Sequence, residues 1–338
     1  MTRSTTGTTR LHSLTTLAIG VTATMALTAC GADADKDSAA SPRSSASPTS
    51  QGVVTKETAK KVVDDYERVN NSANKARDEK LLATVEAGQV HEQSKADYKL
   101  FKTWSAKDQK EYGSPFFYKN RTYYLPATGT ATWFAVKAKS SGSDDDALLI
   151  FDRTGGTYKL VASAYSDEAL PEIAVDRNGL VTAVDASKKV GTLAPDQLGT
   201  VYEDLFETGG QKAAKQLATT SATKDSVKVY KERDTGNLAR YATKKYFAKE
   251  PSHPKVYALK LADGGVVTVF PTAHTQERML KPQYMSSFQI GPNDEEAVYN
   301  STKRTVITDL FQGQGLAELS TKGKPRVTAI GYRMVDSH

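Results

Sequence analysis

The chain has 338 residues, with 45 Lys and Arg against 39 Asp and Glu, a formal charge of +6, and a single cysteine. One cysteine excludes a disulfide framework, and lysines spread along the chain instead of massed in a block speak for a solvated surface and against nucleic-acid binding. The length accommodates two medium domains.

In chain order, the first element opens Met1-Thr2-Arg3, reaches Arg10 without an acidic residue, and continues into an uncharged run from Leu17 to Ala29 (LAIGVTATMALTA). A basic start followed by an apolar segment too short to cross ~30 Å of hydrocarbon at about 1.5 Å per residue reads as an export signal. Arg3 and Arg10 are not adjacent, so the general secretory route is favoured over a twin-arginine route. The run ends in Leu27-Thr28-Ala29-Cys30-Gly31. This resembles the bacterial lipobox, which implies cleavage between Ala29 and Cys30 and attachment of diacylglycerol to the Cys30 thiol. Small residues suit the peptidase beside the scissile bond, and Cys30 has no second cysteine to pair with. At about 0.8 kcal/mol per buried methylene, two or more palmitate-type acyl chains would hold a folded domain on a membrane.

Residues 31–52 (GADADKDSAASPRSSASPTSQG) carry no large apolar side chain. Such a segment cannot offset its ordering entropy and is expected to be a disordered tether, spanning about 25 Å on average as a flexible coil. Residues 1–29 are thus read as signal peptide and 30–53 as lipidated linker.

The first globular element is an amphipathic helix from Thr55, with Ala59, Val62, Val63, Tyr66 and Val69 at helical spacing. A second follows Pro195, with Leu198, Val201, Tyr202, Leu205 and Phe206 on one face and a stop at Gly209-Gly210. AKKVVDDY (59–66) and LGTVYEDL (198–205) match apolar to apolar and Asp65 to Asp204. Two antiparallel hairpins end the halves, 147–165 and 315–332, turning at glycines and sharing alanine at 162 and 329 and tyrosine at 165 and 332. The order of helices first and antiparallel strands after, twice over, predicts an α+β fold of two tandem repeats, each of helices packed on a curved sheet, over 54–190 and 191–338. Between them, 170–184 is too apolar for a free linker and should pack, with a turn at Asp176-Arg-Asn-Gly179. The second repeat carries about twenty-eight extra residues, placed largely in 270–300.

Two such units behind a lipobox, with the aromatic stretch YGSPFFYKNRTYYLPATGTATWFAV at 112–136, resemble lipoproteins of unknown function from streptomycetes and related actinobacteria. Each unit is similar to the nuclear-transport-factor-2-like (cystatin-related) cone. The resemblance implies no activity, cofactor or functional residue beyond Cys30.

No catalytic constellation stands out. His91, His253, His274 and His338 are scattered, without HExxH or CxxC, so each reads as a surface histidine and no metal site is expected. No GxSxG elbow and no phosphate-binding glycine loop occurs. The aromatic residues Tyr112, Phe116, Phe117, Tyr118, Tyr123, Tyr124, Trp133 and Phe134 could line a glycan or peptide groove, but the core reading is preferred. Asp65 and Asp204 are read as solvated charge at the edge of a helix face. The expectation is a non-catalytic binding or scaffolding lipoprotein on the extracytoplasmic face of the cell membrane. Its partners would be the bilayer, through Cys30, and an envelope protein or glycan, with no cofactor and no nucleic acid. The alternatives are an enzyme using one cone, or a lipid- or solute-binding lipoprotein.

Overall fold

The computed structural model describes residues 51–338. The leader, Leu27–Cys30 and most of the tether lie outside them. Helices α1 (Lys56–Ala76), α2 (Glu79–Leu82), α3 (Gly88–Leu100) and α4 (Ala106–Tyr112) precede a sheet of β1 (Tyr118–Tyr124), β2 (Trp133–Ser140), β3 (Asp146–Thr154) and β4 (Thr157–Ser166). Then come α5 (Leu198–Glu207) and α6 (Ser221–Glu232), followed by β5 (Ala242–Lys249), β6 (Tyr257–Lys260), β7 (Val266–Leu280), α7 (Asp294–Tyr299), β8 (Val306–Leu319) and β9 (Arg326–Ser337). The fold is α+β, with one four-stranded and one five-stranded sheet, ordered β1-β2-β3-β4 and β5-β7-β8-β9 and antiparallel throughout. β6 pairs with β7 along the same side as β5, after Pro251 and Pro254, residues that cannot donate to a ladder.

α1 forms where its periodicity places it. Thr55 caps it by accepting from Thr58 N at 3.2 Å, and Ala59, Val63, Tyr66, Val69 and Ala73 are buried. α5 buries Leu198, Val201, Tyr202, Leu205 and Phe206, and Pro195 opens a single 3₁₀ turn ahead of it.

The layers follow from alternation along the strands. On β3, Ala147, Leu149 and Phe151 face α1, whereas Leu148 and Ile150 face the second sheet. On β2, Phe134, Val136 and Ala138 face α1, and Trp133 and Ala135 point the other way. The second sheet mirrors this: Val266 and Phe270 of β7 pack under α5, and Val267 and Val269 pack against Trp133, Leu148 and Ile150. The two sheets are therefore back to back, with helices outside, and the central strands are buried on both faces. That is why β2 and β3 read as nearly continuous apolar runs.

Beyond the edge of the first sheet, α3 covers the rest of the second. Gln312 and Gln314 of β8 are buried there and need partners. Gln89 donates to Gln312 Oε1 at 2.9 Å, Gln93 donates to the Gln312 carbonyl at 2.9 Å, Gln314 donates to Gln93, and Ser163 N donates to Gln314 at 2.9 Å. The 170–184 segment packs as expected: Val181 bridges to Pro126 while Ile173 and Ala183 bridge to Leu261 and Leu259. Its turn is closed by Gly179 N donating to the Asp176 carbonyl.

The two terminal hairpins share a register. In each, one residue is skipped opposite the same position: Ile150 pairs with Ala162 and Phe151 with Leu160, as Leu316 pairs with Ala329 and Ala317 with Val327. Such a bulge bends a strand locally. The extra length of the second half is corrected in place: 270–280 is regular strand, and the insertion proper is 281–300, a 3₁₀ turn followed by α7.

Because Trp133 is shared between the sheets, Trp133→Ala is expected to cost about 3–5 kcal/mol, read from urea unfolding by circular dichroism. The shared core also predicts one cooperative transition for 51–338, not two.

Candidate functional site

The most concentrated polar chemistry lies inside the second unit, between α5 and its sheet. Glu203 of α5 is fully buried, flanked in sequence by the apolar contacts Val201, Tyr202, Leu205 and Phe206. Its carboxylate is met by His274 Nδ1 at 2.8 Å, by the Tyr332 hydroxyl at 2.7 Å, and by the Thr272 hydroxyl. Burial first, and then the Glu203 charge, push the Tyr332 hydroxyl well above its usual range, so it remains a donor. The backbone makes room for this arrangement at two glycines. A Cβ on Gly199 would stand 2.6 Å from the Pro271 carbonyl, and one on Gly313 would stand 2.5 Å from the Tyr332 ring.

Four rings surround the imidazole: Phe206 at 4.7 Å, Tyr332 at 4.8 Å, Phe311 at 5.2 Å and Tyr246 at 5.6 Å between centroids. A carboxylate-oriented imidazole is the grammar of a general base. Here His274 is only 4% exposed, with its imidazole enclosed by these rings.

A second polar cluster lies further along the same strands. Arg278 is paired with Glu296 and lies 3.7 Å from Asp309, which also accepts from Gln276 at 3.1 Å and Ser337 at 2.7 Å. Burial, reinforced by Glu296, raises the Asp309 carboxyl, and burial beside Arg278 lowers Lys244.

The most deeply buried acid of the first unit is Glu86. Tyr66 and Asn70 of α1 donate to its Oε1 at 3.1 and 2.9 Å. Burial pushes the carboxyl up to about 8. It is therefore protonated at neutral pH.

Two sequence expectations are corrected. His274 is buried and not a surface histidine, because the alternation of β7 turns it towards α5. Asp204 is buried and not solvated: it accepts from Lys212 N and Ala214 N at 2.9 Å each and from the Thr208 hydroxyl, and so closes the turn after α5. Asp65 is exposed and paired with Arg68. His253 and His338 are exposed, and His91 is half-buried on α3, its imidazole lowered by burial and then by Lys95. The aromatic stretch is divided. Tyr118, Trp133 and Phe134 are core, Phe116, Tyr123 and Tyr124 are partly covered, and Phe117 is 54% exposed. Among the described residues no group of three or more His, Cys, Asp or Glu is placed to hold a metal ion. Leu27, Thr28, Ala29 and Cys30 lie outside the described residues. Glu86, Glu203 and Thr272 were not singled out by sequence. The signal available was an acid among α5 core positions, and Thr272 and His274 two apart in the mainly apolar first part of β7.

Residues 50–338 match the family described as Domain of unknown function (DUF8094). The chain belongs to this family. It is also 31% identical over 328 residues, 94% of this chain and 91% of the relative, to "Uncharacterized lipoprotein SCO6871" of Streptomyces coelicolor (strain ATCC BAA-471 / A3(2) / M145). No solved structure matches. Among the described residues, no helix is long and apolar enough to cross a membrane. The DUF8094 match covers every residue of both sheets, so Glu86, Glu203 and His274 all lie within the family region.

Two predictions follow the buried groups. Native Glu86 keeps its proton where the unfolded chain, titrating at about 4.3, has lost it, so stability falls as pH rises from about 4.3 to the folded value of about 8. The slope from this group is about 1.4 kcal/mol per pH unit, and Glu86→Gln should flatten it in urea titrations taken across that range. Glu203→Leu leaves His274, Thr272 and Tyr332 without their shared acceptor and should destabilise by about 3–5 kcal/mol, read the same way.

Proposed function

We propose that the chain is an extracytoplasmic lipoprotein, held on the cell membrane through acylated Cys30 after removal of residues 1–29. Its folded part binds or scaffolds an envelope protein or glycan without catalysis. The observation that carries this reading is Leu27-Thr28-Ala29-Cys30 at the end of an apolar run, in a chain akin over 94% of its length to a protein named a lipoprotein. The non-catalytic part is supported by how the interiors are filled. Phe134 and Phe151 stack at 5.3 Å under Tyr66 in the first unit, and four rings crowd His274 in the second. We read the two units, joined near residue 190, as copies of one ancestral helix-and-sheet unit related to the nuclear-transport-factor-2-like cone. The shared bulge register supports that reading.

The test is metabolic labelling with an alkyne fatty acid in cells expressing the wild-type chain or Cys30→Ala. Label on the membrane-bound wild type and its loss in Cys30→Ala are expected. Protease added to intact protoplasts should digest the folded part. An unlabelled wild type, or protection from protease, would overturn the anchor or its face respectively.

A further inference from the structure

The insertion builds a feature that the polar clusters leave unexplained. Three segments, 236–245, 281–293 and 300–305, converge at one end of the second sheet. Lys281 N donates to the Tyr241 carbonyl at 2.8 Å, Leu280 N to Thr305 at 2.9 Å, and Ile290 and Arg304 exchange both backbone bonds. A small core of Ala242, Leu280, Ile290 and Ile307 fixes them, and Lys281 Nζ holds the Ala239 carbonyl at 2.9 Å. On this base stand three mutually packed rings: Tyr241–Tyr284 at 5.2 Å, Tyr241–Phe288 at 5.5 Å and Tyr284–Phe288 at 5.7 Å. Their outer side is open. Phe288 is 50% exposed, and Met285 and Leu238 are 37% exposed each.

Apolar side chains of this size held outward by a rigid base mark a contact surface. The charge around them indicates with what. The three segments contain six Lys and Arg and no acidic residue, and Arg240, Lys245 and Lys303 are exposed. Asp234, the acid preceding the first segment, lies 3.4 Å from Arg233, and the next acid after the second is Asp294. Aromatic and aliphatic tips on cation-bearing segments, with Arg240 5.5 Å from the Tyr241 ring, match the headgroup layer of a bilayer carrying anionic lipid: rings enter the interface, and cations meet phosphate.

We infer that the Tyr241–Tyr284–Phe288 tip docks on the anionic membrane surface. This rests on the lipoprotein reading, which puts the bilayer within reach. Twenty residues separate Cys30 from Gln51, and a chain of that length extends to at most roughly 70 Å, beyond the ~50 Å breadth of a fold of this size. The anchor supplies proximity; the tip selects which face lies down.

The test uses the chain from residue 30 carrying Cys30→Ala, so that no acyl group contributes, with sedimentation on vesicles of phosphatidylcholine alone or with 30% phosphatidylglycerol. Binding to the anionic vesicles is expected, weakened by salt and by neutral lipid. Phe288→Ser/Met285→Ser should lower it about tenfold with an unchanged circular dichroism melt. Independently, Phe288→Trp should show a blue-shifted emission component on the anionic vesicles that it lacks in buffer. Absence of binding, or equal binding by the double serine variant, would overturn the proposal and assign the tip to an acidic protein or wall polymer. Either result leaves labelling at Cys30 untouched, so failure of the tip and failure of the anchor are distinguishable.

Discussion

Burial of both sheets on both faces is the constraint from which the rest of this molecule follows. Leu148 and Ile150 cannot be satisfied by α1, which already covers Leu149 and Phe151 from the other side. Each sheet supplies the cover the other lacks. Apolar burial at about 25 cal/mol per Å² makes a two-sided strand a strong source of stability, but only if the second cover is present. The halves are therefore joined thermodynamically even though their topologies are separate. The segment at 170–184, which bridges to Pro126 and to Leu259 and Leu261, sews that joint instead of spanning a gap. Where the first sheet runs out, the cover changes from apolar to amide. The glutamines of α3 and β8 hydrogen-bond to one another there, buried between helix and sheet.

Within this frame the two units differ at matched positions. Tyr165 and Tyr332 lie at the same offset from their turns and face the small residues Ala147 and Gly313. Tyr165 is 40% exposed and shares a hydrogen bond with Tyr118, whereas Tyr332 is turned into the interior and donates to Glu203. On the helices, Asp64 reaches outward to Arg121, while Glu203, the residue matched to it, is fully enclosed. One unit thus keeps its helix charge in water and the other has internalised it with three partners. A buried carboxylate so supplied fixes the rotation of α5 on the sheet, because any turn of the helix would strand a charge.

How far the sequence carried the fold depended on what each signal encodes. α1 and α5 were legible because one-sided burial leaves a 3.6-residue period, and the 147–165 hairpin because Gly155-Gly156 states its turn. The back-to-back packing was not legible, since WFAV and ALLIF say that both faces are covered without naming what covers them. Asp204 and His274 were misread for a related reason. A polar residue next to a buried one in sequence is assigned to solvent by pattern, and only tertiary partners such as Lys212 N or Glu203 reveal that it is satisfied inside. Cys30 is the reverse case: its reading rests wholly on local sequence, and it lies outside the described residues.

The interior answers each hydrophobic face with another, and Glu203 with three hydrogen-bond partners. The exceptions sit at the periphery. The insertion at 281–300 lengthens no core strand and adds apolar side chains that the fold does not use, held on a base that keeps them from collapsing inward. Exposed Phe288 and Met285 cost solubility in a protein free in water, but beside a bilayer the same atoms find a medium. Were the chain anchored at Cys30 as proposed, such a surface would set its orientation, because attachment at one point restricts distance and leaves rotation free.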